Sequence, residues 1–106
     1  MSASENFSGS QSGAVMRFLT NINGATSEAE RMRISETGGL LVNTSTDVPS
    51  AVLALGGTTR GLRLPVLTTT QRDAISSPAE GLLIYNTTTN KLNFYTGAAW
   101  EAVTSA

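Results

Sequence analysis

Apolar and polar side chains alternate with a period of two along this chain, in short runs that Gly, Asn, Pro or Thr interrupt after a few residues. A period of two places successive side chains on opposite faces of an extended strand, whereas a helix needs apolar residues three and four apart. In the first run Met16, Phe18, Thr20 and Ile22 point one way and Val15, Arg17, Leu19 and Asn21 the other. Asn23-Gly24 then supplies a turn that accepts positive φ. Residues 29–43 read as a hairpin with one apolar and one charged face. Met32 and Ile34 alternate with Arg31, Arg33 and Ser35, the loop Glu36-Thr37-Gly38 follows, and Gly39 to Asn43 return as the second strand.

Thr44 to Pro49 has turn chemistry and reads as a connector. The apolar run Ala51 to Leu55 fits either a buried strand or a buried helical turn, and Gly56-Gly57 end it. Leu62, Leu64 and Val66 alternate with Arg63, Pro65 and Leu67. Pro65 has no N–H for a ladder, so this segment is an edge strand or lies outside a regular sheet. Thr69 to Ile75 is the one credible helix start, with a threonine cap and Asp73 early in the helix field. Ser76-Ser77-Pro78 ends it after about two turns. Residues 82–86, 91–95 and 99–103 read as three strands of a meander. The expected fold is mainly β, with a hairpin stalk, a C-terminal meander head and one short helix. Its parts are a flexible arm over 1–13, the stalk region over 14–57 and the head over 58–106.

Composition sharpens this. Ser, Thr, Asn and Gly make up 44 of the 106 residues, and charged residues only 14%, against roughly 25% in an ordinary soluble domain. The arm, rich in Ser and Gly, has Phe7 as its only large apolar residue, so Phe7 is the candidate anchor to a larger assembly. Large hydrophobes are few and spread out, which favours a core shared between copies of the chain over one built within a single copy.

The same counts exclude classes of chemistry. The chain has no Cys and no His, which removes disulfides, ordinary zinc, copper and haem sites, and catalysis with histidine as base. A net charge of −1 lacks the footprint of nucleic-acid binding. No run approaches the roughly 20 apolar residues of a membrane span, and the N-terminus has neither the basic nor the apolar region of a signal peptide. Gly56-Gly57-Thr58-Thr59-Arg60-Gly61 lacks the Gly-Lys-Ser/Thr ending of a phosphate loop. Glu28 and Glu30 precede Arg31 and Arg33 and fit charge compensation better than a catalytic carboxylate pair. In a threefold assembly these arginines would form rings of like charge, with Glu28, Glu30 and Glu36 available to pair with them between subunits. No catalytic residue, metal ligand or cofactor site is expected.

Tyr85, Phe94, Tyr95 and Trp100 gather most of the aromatic side chains into the meander. Phe94 shares a face with Leu92 and reads as core. Tyr85 and Tyr95, on the opposite parity from Ile84 and Phe94, read with Trp100 as contacts to a neighbouring subunit or a ligand.

Residues 58–100 also carry a family resemblance. They contain Thr58-Thr59-Arg60-Gly61, an apolar-Pro step at Leu64-Pro65, and Gln71-Arg72-Asp73-Ala74-Ile75. A Pro78-x-x-Gly81 turn follows, and then Ile84-Tyr85-Asn86-Thr87-Thr88-Thr89-Asn90-Lys91-Leu92 with Phe94-Tyr95, Gly97 and Trp100. This resembles a C-terminal module of bacteriophage tail fibres and related virion appendages. Upstream, Glu30 to Ile34 and Gly38-Gly39 resemble hairpin units of fibre shafts.

The resemblance implies an intertwined homotrimeric virion protein, most naturally a short tail-associated fibre, with the arm contacting other virion proteins. Met32, Ile34, Leu53, Leu55, Leu64, Ile84 and Phe94 are the expected trimer-interface residues. Two other roles share these features. One is capsid decoration at a threefold position; the other is a host-surface module reading saccharide through Tyr85, Tyr95 and Trp100.

Overall fold

The computed structural model describes residues 2–8, 11–24 and 26–105, with side chains described from residue 14 onward. The chain divides into two units, Met1–Gly61 and Leu62–Ala106. Each is built on one sheet, and the fold is mainly β.

In the first unit β1 (Ser2–Ser8), β2 (Gln11–Thr20), β3 (Ala29–Ile34), β4 (Leu40–Val42) and β5 (Leu53–Leu55) lie side by side in chain order. The first four are antiparallel, and β5 joins β4 in parallel, pairing Leu40 with Leu53, Leu41 with Ala54 and Val42 with Leu55. The ambiguous apolar run therefore ends in a strand. Where the sequence suggests a flexible arm, the backbone of Ser2–Ser8 pairs with Gln11–Arg17. Met1, Gly9 and Ser10 of that arm, and the side chain of Phe7, lie outside the described residues.

The connection over residues 43–52 is held by polar contacts. Thr37 Oγ1 donates to Asp47 Oδ2 at 2.6 Å, and Ser35 Oγ, which accepts from the Gly39 N–H at 3.1 Å, reaches Asp47 Oδ1 at 3.3 Å. At its far end the backbone of Gly56 runs so close to Asn43 that an added Cβ would sit 2.6 Å from the Asn43 carbonyl oxygen. Only glycine fits there.

The second unit carries a four-stranded sheet in the order β6 (Val66–Leu67), β7 (Leu83–Asn86), β8 (Lys91–Tyr95), β9 (Trp100–Ala102). β7 to β9 form the expected meander. β6 pairs with β7 in parallel across a connection containing the helix α1 (Thr69–Asp73). As the position of Pro65 requires, β6 is an edge strand, and the Pro65 carbonyl accepts from the Tyr85 N–H at 2.9 Å.

The helix is shorter than its sequence suggests because it ends at Asp73, with Ala74 as its C-cap, while Thr68 caps its start. The Thr68 hydroxyl accepts from the Gln71 N–H while the Gln71 side chain accepts from the Thr68 N–H, a reciprocal capping box. Asp73, expected early in the helix field, is its last residue. Among the described residues no helix is long and apolar enough to cross a membrane.

Candidate functional site

Register decides which side chains share a surface. In the second sheet the cross-strand rows are Leu83–Phe94–Glu101, Val66–Tyr85–Leu92 and Ile84–Asn93–Ala102. One face thus collects Val66, Leu83, Tyr85, Leu92 and Phe94, with Glu101 at its β9 end. Leu83 and Leu92 on it are exposed, and so are Leu62 and Val103 beside it. Leu62, Arg63, Leu64, Val66, Tyr85, Thr87 and Leu92 line a hollow of about 360 Å³.

The opposite face is closed by α1 through hydrogen bonds. Asn86 and Asn93 are buried on it, with Ile84 beside them at 2% exposure. Asn93 Oδ1 accepts from Asn86 Nδ2 at 2.9 Å and from Arg72 Nη1 at 2.9 Å, and Asn86 Nδ2 also donates to Thr69 Oγ1 at 3.0 Å. Asn86 Oδ1 in turn accepts from the Thr88 N–H at 2.9 Å, shaping the turn between β7 and β8. The Arg72 guanidinium pairs with Asp73 at 2.8 Å and lies 5.5 Å from the Trp100 ring, against which Tyr95 packs edge-on at 5.3 Å. Every buried polar group in this chain of contacts has a partner, which is what lets such a network sit in a small core.

The first sheet repeats the division. Met16–Ile34–Leu40–Leu53 and Phe18–Met32–Val42–Leu55 are two apolar rows crossing four strands on one face. Met16, Ile34, Leu53 and Leu55 in these rows are exposed. The other face carries Arg17, Arg33, Leu41 and Ala54 in one row, with Leu41 only 1% exposed. Among the described residues Leu41 and Ile84 are the buried apolar side chains.

Two arginines directly opposite each other need an anion, and a β-bulge delivers one. The register shifts between Phe18, paired with Met32, and Leu19, paired with Glu30, so Arg31 is the extra residue. The shift turns Glu30 onto the arginine face. Its carboxylate takes two hydrogen bonds from Arg33, each 2.8 Å, and lies 3.8 Å from Arg17 Nε. The hydrogen bond from Arg33 holds the Glu30 carboxyl below its ordinary value; burial opposes this, and the charges of Arg33 and Arg17 reinforce it. The same bond raises Arg33. The acid that balances Arg33 therefore comes from its own chain, three residues away, where the sequence suggested pairing between subunits. Arg31, pushed out by the bulge, donates to Thr20 Oγ1 at 2.8 Å.

Of the residues singled out in sequence, Met32, Ile34, Leu53 and Leu55 share the apolar face of the first sheet. Leu64 and Phe94 belong to the apolar side of the second unit. Ile84 does not join them: the register places it on the opposite face, against the helix. Tyr85 lies on the Phe94 side, while Tyr95 packs edge-on against Trp100, whose ring lies beside Arg72. Parity within one strand cannot reveal this, because the turn at Thr87–Asn90 pairs odd positions of β7 with even positions of β8. Leu83, Leu92, Met16 and Phe18 complete the apolar faces. The buried Asn86–Asn93–Arg72 contacts carry no periodic signal that would announce them.

Among the described residues no group of acidic side chains is placed to hold a metal ion. Comparison with protein families matches residues 41–106 to a phage tail like trimerisation region. The match takes in Leu41 and Val42 of β4, all of β5 and the whole second unit. Neither the curated proteins nor the solved structures gave a match.

Proposed function

This chain belongs to the phage tail-like trimerisation family, and we propose that it is a structural tail component, a short homotrimeric fibre whose work is assembly and not turnover. The observation that carries this reading is the apolar face of the second sheet. Leu83, Tyr85, Leu92, Phe94 and Val66 cover one side of a sheet whose other side is already closed by α1. Leaving such a surface in water is costly, at roughly 25 cal/mol per Å², and contiguous apolar patches of this kind mark association surfaces. A threefold axis beside this face would give each copy two apolar neighbours and complete the core that a single copy lacks.

In the same reading the first unit forms the stalk and its N-terminal end contacts other virion proteins. A role in reading saccharide draws less support, because Tyr95 and Trp100 are engaged with each other and Trp100 also with Arg72. Tyr85 faces the hollow that a neighbouring copy would fill.

Leu92→Lys tests the reading. Leu92 is exposed in the single chain, so the substitution leaves the unit's own core intact and sets three ammonium groups into the shared one. Sedimentation at micromolar concentration is expected to show trimers for the native chain and monomers for Leu92→Lys. Trimers of unchanged stability in the variant would refute this face as the interface.

A further inference from the structure

The first sheet has a second unmet requirement besides its apolar face, namely the outer edge of β5. The Leu40 N–H donates to the Val52 carbonyl and the Gly56 N–H to the Val42 carbonyl, both at 2.9 Å. With Leu41 paired to Ala54 in parallel register, the N–H and C=O of Ala54 turn toward β4. Those of Leu53 and Leu55 turn outward, to the side where the described sheet has no further strand.

Exposed edges are ordinarily guarded by charge, proline or a bulge. β5 has none of these: residues 48–59 carry no charge, and Leu53 and Leu55 are each 47% exposed. An uncharged, apolar open edge is a template for another strand.

We propose that β1 of a neighbouring copy completes β5, so that three five-stranded sheets close head to tail into one ring. This rests on the trimeric reading above and adds which strands meet. A threefold axis brings one surface onto a different surface of the next copy, whereas β5 against β5 belongs to twofold symmetry. The other open edge of this sheet is β1. Because β1 to β4 alternate in direction and β5 follows β4, β1 and β5 run oppositely. With the strands along the axis, the next copy's β1 therefore meets β5 as an antiparallel partner. Closure removes both edges and turns the rows of Met16–Leu53 and Phe18–Leu55 toward the shared interior, leaving Arg17, Arg33 and Glu30 outside.

The test is residue-resolved amide exchange on the full native chain, with sedimentation on the same sample and disulfide trapping in two double variants. Ala54 is the internal reference, since its N–H is bonded within the chain. Leu53 and Leu55 amides are expected to exchange at least 100-fold more slowly than in an unstructured chain, alongside Ala54. The chain has no native cysteine, so Ala3→Cys with Leu53→Cys, and Glu5→Cys with Leu53→Cys, report new contacts cleanly. Within one copy β1 and β5 are four strand spacings apart, about 19 Å, beyond the reach of a disulfide. Oxidation is therefore expected to give covalent trimers from at least one pair. A trimer in which Leu53 and Leu55 exchange freely while Ala54 is protected would overturn the edge pairing. Protected amides without a covalent product from either pair would overturn β1 as the occupant. A chain that sediments as a monomer would overturn the trimeric reading itself.

Discussion

At the scale of single residues, two polar clusters hold the two units. In the second unit Asn93 Oδ1 is the acceptor for both Arg72 and Asn86. Truncating it strands two donors in a buried setting, a loss of about 1–3 kcal/mol. Asn93→Ala is therefore expected to lower the unfolding midpoint measurably, whereas Asn93→Asp, which keeps the acceptor, recovers most of the loss. Thermal unfolding followed by Trp100 fluorescence reads both.

In the first unit the Glu30 carboxylate balances Arg33 and Arg17. Its folded-state pKa lies below the unfolded value, so its contribution is present above the unfolded value, near 4.3, and disappears as pH falls through the folded one. Glu30→Gln should lower stability at neutral pH by no more than about 1 kcal/mol, given the partial exposure of the pair. The gap between variant and native chain should close in acid. A gap that persists there would assign the effect to packing and not to charge.

Elements show how far the sequence alone reaches. Period-two alternation fixed the strand positions of the meander to within a residue, because each strand there is bounded by turn residues that leave little choice. It could not fix which faces meet across a turn, since that depends on hairpin register. Ile84 and Phe94 accordingly look equivalent in sequence and lie on opposite sides of the sheet. The bulge at Arg31 is equally hidden: Glu30 has the parity of Met32 along the chain and yet sits with the arginines.

The parallel joining of β5 to β4 was also beyond local signals, although Gly56 marks the place where the returning chain presses on Asn43. Gly56→Ala would drive a Cβ to 2.6 Å from both the Asn43 carbonyl oxygen and Thr44 Cβ. Backbone cannot yield as a side chain does, and a cost of about 1–3 kcal/mol follows. Loss of amide protection in β4 and β5, with β7 to β9 unaffected, is the expected signature.

For the whole molecule the governing fact is the shortage of internal core. The buried apolar side chains among the described residues are Leu41 and Ile84, while each sheet presents an apolar face. Chain folding costs of order 1–2 kcal/mol of conformational entropy per residue, and a core with so few fully buried apolar side chains offsets only part of it. In the proposed trimer, copies of the chain would supply the missing burial, which would tie folding to association and make stability depend on concentration. The abundance of Thr, Ser and Asn suits that proposal, in which a solvated outer β surface would surround a shared interior.

Sedimentation equilibrium of the native chain, with circular dichroism recorded across the same dilution series, tests this coupling most directly. The expected species is a trimer of three 11.1 kDa chains at micromolar concentration, with the β signal falling in step with the trimer on dilution. A folded monomer of 11.1 kDa that keeps its β signal at micromolar concentration would contradict it.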